Sequence, residues 1–93
     1  MNRLEGKVVI ITGASGGIGK AAAKLFIEEG ASVLMVDLNE EELSAACKDI
    51  HSNKVSYFVG DVTKSMDNFE AVKLAKERYG GLDVFIVDVR RLF

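Results

Sequence analysis

The chain has 93 residues, enough for one domain, and its 48% apolar and 28% charged residues are ordinary for a soluble globular protein. A net charge of −2 gives no electrostatic footprint for nucleic acid or an anionic membrane, and no apolar run approaches the length of a membrane span. The first residues lack a signal-peptide core, and the single cysteine cannot form an internal disulfide. We therefore expect a cytoplasmic protein.

The first predicted elements are a buried strand and an amphipathic helix, joined by a glycine-rich turn. Residues 7–12 are almost continuously apolar, which is typical of a strand buried on both faces. From Ile18 onward, apolar residues at i, i+3, i+4, i+7 and i+8 predict a helix over 17–29, and Gly30 is its natural stop. Between strand and helix lies the sequence T-G-A-S-G-G-I-G, residues 12–19.

The chemistry of this turn favours an anion. Glycine accepts positive φ and lets a ligand approach the backbone, and the first amides of a helix lack internal partners. The turn from Gly13 to Gly19 therefore predicts a pyrophosphate site, with Ser15 or Gly16 donating to its oxygens. Ile18 would help to shape the cleft. The alternative is a tight strand-to-helix turn without a ligand.

An acidic residue closes the second predicted strand, Ser32–Asp37. Asp37 stands 18 positions after Gly19, close to the spacing of a dinucleotide-binding acid. There it would accept hydrogen bonds from the adenosine ribose and repel a 2′-phosphate. Leu38 follows and no arginine is adjacent, so NAD is expected in preference to NADP. Alternatively, Asp37 is a simple turn acid or an acid at a helix N-terminus.

The second predicted helix begins after Asn39, which forms a capping-box-like pair with Glu42. Its apolar positions include Cys47, which we interpret as a packed core residue and not a reactive thiol. His51 follows in a polar stretch and is expected in a solvated loop.

Two further strands and one helix complete the chain. We predict strands at 55–59 and 82–89, and between them a helix that begins at Ser65. Its apolar face is expected to carry Phe69, Val72, Ala75 and Tyr79. The order βαβαβαβ predicts a Rossmann-like α/β fold with a parallel sheet. In a dinucleotide-binding half the strand order is 3-2-1-4, with helices 1 and 2 on one face and helix 3 on the other.

Asp61 and Val62 follow the third strand at the same edge as the glycine turn. They are expected near a bound adenine, where a hydrogen bond to its amino group is possible. The alternative is that Gly60 and Asp61 form an ordinary turn.

The pattern T-G-x-x-x-G-x-G resembles that of the short-chain dehydrogenase/reductase family. Three further features match it: the acid that ends strand 2, Asp-Val after strand 3, and G-G-L-D-V-F-I at 80–86. The resemblance covers residues 4 to about 86 and implies that residues 1–93 are a truncated NAD-binding Rossmann domain of an oxidoreductase. The residue chemistry and the resemblance together predict cofactor-binding roles for Gly13, Ser15, Gly16, Gly17, Ile18, Gly19, Asp37, Leu38, Asp61 and Val62.

After Ile86 the resemblance fails, since the family's N-N-A-G would fall on V-D-V-R at 87–90. The family's catalytic serine and Tyr-x-x-x-Lys pair have no counterpart. Tyr57 and Tyr79 are followed four residues later by aspartates. The resemblance thus implies a chain that binds the adenosine end of NAD without catalysis. The alternatives are a stand-alone nucleotide-binding or self-associating module, and a dehydrogenase whose missing residues come from a second chain.

The fourth strand suggests how the chain could associate. Residues 84–87 are apolar, and three of the four are β-branched. In a sheet that ends at strand 4, such an edge invites pairing with another chain. We therefore predict a homodimer with the continuous sheet order 3-2-1-4-4′-1′-2′-3′.

Overall fold

The computed structural model describes residues 3–88, which form a four-stranded parallel sheet flanked by three helices. The strand order is β3-β2-β1-β4, and the predicted fold class and topology are confirmed. The elements in chain order are β1 (Val8–Thr12), α1 (Gly16–Glu28), β2 (Ser32–Asp37), α2 (Glu40–Ile50), β3 (Val55–Val59), α3 (Ser65–Tyr79) and β4 (Val84–Ile86).

The two central strands form the middle of the core. Successive side chains of a strand point to opposite faces, so each strand supplies both layers. One layer contains Val9 and Met35 and packs against alanines of α1 and α2. The other contains Ile10 and Leu34 and packs against Ala71 and Ala75 of α3. The helices therefore lie on two faces of the sheet, as the βαβ pattern predicts.

The apolar faces of two helices differ from the sequence prediction. In α1 the buried residues are Gly19, Ala22 and Ala23, whereas Ile18 is 43% exposed and Leu25 is 52% exposed.

In α3 the buried residues are Ala71 and Ala75, and the prediction that Phe69 lies on the packed face is wrong, because it is 63% exposed. Val72 and Tyr79 are partly buried, as predicted. In both helices small residues face the sheet, and larger apolar side chains lie beside the contact.

The fourth strand is shorter than the predicted 82–89. Before it, the Asp83 carboxylate accepts the Val8 N–H at 2.8 Å, and the Asp83 N–H donates to the Val8 carbonyl at 2.9 Å. After it, Asp88 adopts a left-handed conformation with φ 54°, and its N–H donates to Thr12 Oγ1 at 2.6 Å. That conformation ends the extended backbone. Val89, where the predicted strand ends, lies outside the described residues. So does Arg90, the last position of the N-N-A-G alignment.

The helix ends follow the predicted local chemistry. Gly30, which follows the α1 C-cap residue Glu29, has φ 99°. Asn39 caps α2 by accepting the Glu42 N–H at 3.0 Å. His51 ends α2 in the left-handed region and is exposed. Cys47 is half-buried against the core, and this burial raises the pKa of its thiol, as expected for a packing residue.

Candidate nucleotide-binding site

Backbone hydrogen bonds bring three predicted site segments together at the carboxyl edge of the sheet. The Ala14 N–H donates to the Val36 carbonyl at 3.2 Å, so the glycine turn stays paired with β2. The Gly60 N–H donates to the Asp37 carbonyl at 3.0 Å, which joins the end of β3 to the end of β2. The turn, Asp37 and the Gly60–Val62 segment therefore lie along one edge.

The glycines of the turn have different structural roles. Gly13 and Gly16 have φ values of 64° and 87°, which side chains rarely tolerate. A Cβ on Gly19 would lie 1.9 Å from the Ala14 carbonyl oxygen, so Gly19 permits close packing of helix against turn. A Cβ on Gly17 would meet nothing within 4 Å. Gly17 therefore leaves an open surface at the start of α1, where a ligand could lie against the backbone.

The N-terminus of α1 is not capped by a side chain of its N-cap residue. Ser15 occupies that position but makes no capping hydrogen bond, and the first turn of α1 carries no acidic residue. The leading amides of a helix carry partial positive charge and lack internal partners. This end of α1 therefore suits an anion that approaches over Gly17, and a pyrophosphate fits that description.

Asp37 lies against the glycine turn. Its Oδ2 accepts two hydrogen bonds from Ser15, one from the backbone N–H at 3.0 Å and one from Oγ at 2.6 Å. Its Oδ1 accepts the Leu38 N–H at 2.7 Å. The sequence predicts that Ser15 or Gly16 donates to a pyrophosphate, and in the structure both Ser15 donors are hydrogen-bonded to Asp37. The side chain of Leu38 is largely exposed.

Asp61 forms a local turn after β3. Its Oδ1 accepts the Thr63 N–H at 2.9 Å and the Thr63 hydroxyl at 2.6 Å, and these bonds lower the pKa of the Asp61 carboxyl. The Asp61 N–H donates to Asp67 at 2.7 Å, and the Val62 carbonyl accepts from the side chain of Asn68. A turn is therefore present, but it begins at Asp61 and runs to Lys64, whereas the Gly60 N–H pairs with the Asp37 carbonyl. The contact of Asp61 and Val62 with adenine stays a prediction.

The hydrogen-bond partners of Asp61 were not predicted from the sequence. The signal for Thr63 was available, because Asp-x-Thr is a typical side-chain-to-backbone turn. Asp67 could not be assigned from spacing, since its contact depends on the angle at which α3 leaves the loop.

A surface groove of about 650 Å³ reaches the glycine turn from the α2 side. Its lining includes Gly16 and Gly17 of the turn together with Lys20 and Lys48. Lys20 forms an exposed ion pair with Asp49 at 2.5 Å. In the part of the chain that the structure describes, no cluster of three or more His, Cys, Asp or Glu could hold a metal ion. Likewise, no helix within residues 3–88 is long and apolar enough to cross a membrane.

Comparison with known proteins assigns the family. The model for short chain dehydrogenases matches residues 7–89, so the chain belongs to the short-chain dehydrogenase family. Borneol dehydrogenase, mitochondrial, from Lavandula x intermedia is 45% identical over 86 residues, covering 92% of this chain and 32% of the relative. An uncharacterized oxidoreductase of Staphylococcus aureus is 38% identical over 86 residues, covering 92% of this chain and 37% of the relative.

Solved structures agree with this assignment. A short-chain dehydrogenase/reductase from Brucella melitensis superposes with a TM-score of 0.82 at 36% identity, covering 88% of this chain and 35% of the other. A 3-ketoacyl-(acyl-carrier-protein) reductase from the same organism, complexed with NADH, gives a TM-score of 0.81 at 34% identity, covering 88% and 34%. The chain thus spans about a third of the length of the relatives that it matches.

Proposed function

We propose that this chain is the cofactor-binding half of an NAD-dependent oxidoreductase and binds the adenosine-diphosphate end of the dinucleotide. The proposal rests on one arrangement at the glycine turn. The Asp37 carboxylate accepts two hydrogen bonds from Ser15, and the Ser15 side chain leaves the first amides of α1 uncapped. The arrangement offers amide donors for a diphosphate and an acceptor for ribose hydroxyls at the same edge of the sheet.

Each part of the adenosine diphosphate has a proposed partner. The pyrophosphate would lie against the backbone at Gly17, where a Cβ would meet nothing within 4 Å. The ribose hydroxyls donate to Asp37. Asp61 and Val62 bound the adenine, and Ile18, which is partly exposed at the start of α1, forms a wall of the cleft. When bound, the dinucleotide supplies the hydride acceptor or donor of the family's chemistry.

NAD in preference to NADP follows from the charge at the ribose. A 2′-phosphate would stand beside the Asp37 carboxylate, and like charges at that range repel. Neither neighbour of Asp37 in sequence is cationic, since they are Val36 and Leu38. One solved relative is described as complexed with NADH, which supports the same choice.

We further propose that this chain alone does not turn over substrate. A catalytic tyrosine needs a lowered pKa, but burial raises the pKa of Tyr79, whose hydroxyl is hydrogen-bonded to Ser56 at 2.7 Å. The Tyr57 hydroxyl lies 3.4 Å from Glu40 Oε2, and Tyr57 belongs to β3, an outer strand of the sheet. Neither tyrosine has a lysine four residues later.

Isothermal titration of the full chain with ADP-ribose and with 2′-phospho-ADP-ribose tests the proposal. We expect saturable binding of ADP-ribose, tighter than that of the 2′-phosphate by about tenfold, or about 1.4 kcal/mol. Asp37→Asn should reduce this preference, whereas Glu77→Gln, which changes an exposed acid on α3 at the opposite face of the sheet, should leave it unchanged. Absence of saturable binding would refute the proposal, and NADH formation by this chain alone would refute its lack of catalysis.

Self-association through β4 is the second candidate function. Within the described residues β4 pairs only with β1, and Val84 and Val87 are exposed beside that edge. Ile18 and Leu25 on α1 add apolar surface on one face of the sheet. We propose a homodimer in which the two β4 strands pair, because an uncovered apolar edge favours a second strand.

The cytoplasmic location stays a prediction. One relative is named as mitochondrial, so the family does not fix the compartment. Fractionation of cells that express the full-length gene product would test it.

A further inference from the structure

The Ser15 hydroxyl does not act as the side chain of an N-cap serine usually does. Such a hydroxyl normally accepts a hydrogen bond from an amide two or three residues later. Ser15 has the extended N-cap conformation, φ −71° and ψ 155°, but makes no such bond. Its Oγ instead lies 2.6 Å from Asp37 Oδ2. Because an ionised carboxylate can only accept, the hydroxyl is the donor, and its proton is committed to Asp37.

This contact fixes the direction of the Asp37 side chain. The Ser15 backbone N–H donates to the same oxygen at 3.0 Å, and the Leu38 N–H donates to the other oxygen at 2.7 Å. The Asp37 backbone is itself held by the Gly60 N–H. Rotation of the carboxylate away from the turn would break both Ser15 bonds, and hydrogen bonds to ionised groups are among the stronger ones.

We propose that Ser15 is a positioning residue for cofactor choice, acting through Asp37 and not by contact with the pyrophosphate. It holds the negative charge against the glycine turn, where that charge excludes a 2′-phosphate. This inference rests on the proposed nucleotide-binding function. It assigns the discrimination between NAD and NADP to two residues acting together: Ser15, in the turn after β1, and Asp37, at the end of β2.

The test compares two ligands across Ser15 variants of the full chain. Ser15→Ala is expected to weaken ADP-ribose binding about tenfold, equivalent to about 1.4 kcal/mol, while 2′-phospho-ADP-ribose loses little or gains. The affinity ratio therefore falls about tenfold, and Ser15→Thr, which keeps the hydroxyl, preserves it. Ser52→Ala is the matched control, because the Ser52 hydroxyl accepts the Lys54 N–H before β3, at the opposite end of the sheet.

A double-mutant comparison separates positioning from structure. If Ser15 acts through the Asp37 charge, Ser15→Ala should barely change the affinity ratio in an Asp37→Asn background. An equal loss of affinity for both ligands would overturn the inference, because it would place Ser15 on the pyrophosphate. Unchanged affinities for both ligands would also overturn it. Failure of the wild-type chain to bind either ligand is a different result, which refutes the proposed function itself.

Folding of each variant is checked by circular dichroism. If Ser15→Ala does not fold, Ser15→Gly carries the same test, because glycine is well tolerated at an N-cap. If both variants unfold while Ser15→Thr folds, Ser15 is a structural residue, and the positioning role is overturned.

Discussion

At the scale of single residues, two glycines of the turn, Gly17 and Gly19, have different surroundings. Gly19 sits where a Cβ would overlap a backbone oxygen, whereas Gly17 faces open space. A single sequence shows the two as equivalent helical glycines. The structure separates the one required by packing from the one that leaves room for a ligand.

The Gly19→Ala and Gly17→Ala pair turns this difference into a prediction. Gly19→Ala should lower the free energy of unfolding by about 1–3 kcal/mol, because the backbone must shift to remove the overlap. Gly17→Ala should raise it by about 0.5–1 kcal/mol through helix propensity, yet weaken ADP-ribose binding because the methyl group occupies the open surface. Urea unfolding and calorimetric titration measure the two effects. Equal stability changes in the two variants would contradict the account.

Local chemistry in the sequence predicted the turn, the acid at the end of β2 and the Asn39 cap, because each depends on a few adjacent residues. It did not predict the partner of Ser15. An N-cap serine normally accepts from its own helix, and only the alignment of β1 beside β2 brings the Asp37 carboxylate within reach.

At the scale of elements, periodicity identified every helix and strand but misplaced two contact faces. The apolar repeats of α1 and α3 include Leu25 and Phe69, which are exposed, as well as alanines such as Ala75 that do touch the sheet. Hydrophobicity alone favours the larger side chains, whereas close approach of a helix to a sheet favours the smaller ones. The sequence cannot show which requirement decides the rotation of a helix.

The contact between α3 and β3 gives a pH-dependent prediction. Burial raises the pKa of Tyr79 above its ordinary value of 10.0. In the unfolded chain the phenol ionises at a lower pH than in the folded chain, so stability is retained below about pH 10 and lost as pH rises through the folded pKa. As the pH rises above about 10, the unfolding free energy should therefore fall more steeply in the wild type than in Tyr79→Phe.

The same variant also removes the bond to Ser56, which should cost about 1 kcal/mol near pH 7. Urea midpoints across the pH range measure both effects. Cys47 is present in both proteins, so it does not account for a difference between their curves. Parallel curves for Tyr79→Phe and the wild type would contradict the assignment to Tyr79.

At the scale of the whole molecule, the sheet has two outer strands, and each carries a partly exposed valine: Val84 on β4 at 39% and Val59 on β3 at 41%. If the homodimer forms through β4, Val84→Lys should shift the chain to monomer, because a charge on an edge strand opposes pairing. Val59→Lys is the matched control and should remain dimeric. Sedimentation of both variants at tens of micromolar, the concentration range in which such exposed edges associate, would show whether each is a monomer or a dimer.

A monomeric wild type, or dissociation caused by Val59→Lys alone, would contradict association through β4. The sequence indicated an apolar fourth strand, but it could not show which outer strand is less protected. That property depends on how the helices and loops cover each edge.

The most direct measurement of the central claim is an amide NMR titration of the full chain with ADP-ribose. The account predicts saturable shifts concentrated on Gly13, Gly17, Ile18, Gly19 and Leu38, the amides of the glycine turn and of the residue after Asp37. Inorganic pyrophosphate should shift the turn amides but leave Leu38 nearly unchanged. Shifts confined to the groove beside Lys48, or no saturable shift at all, would contradict a nucleotide site at the carboxyl edge of the sheet.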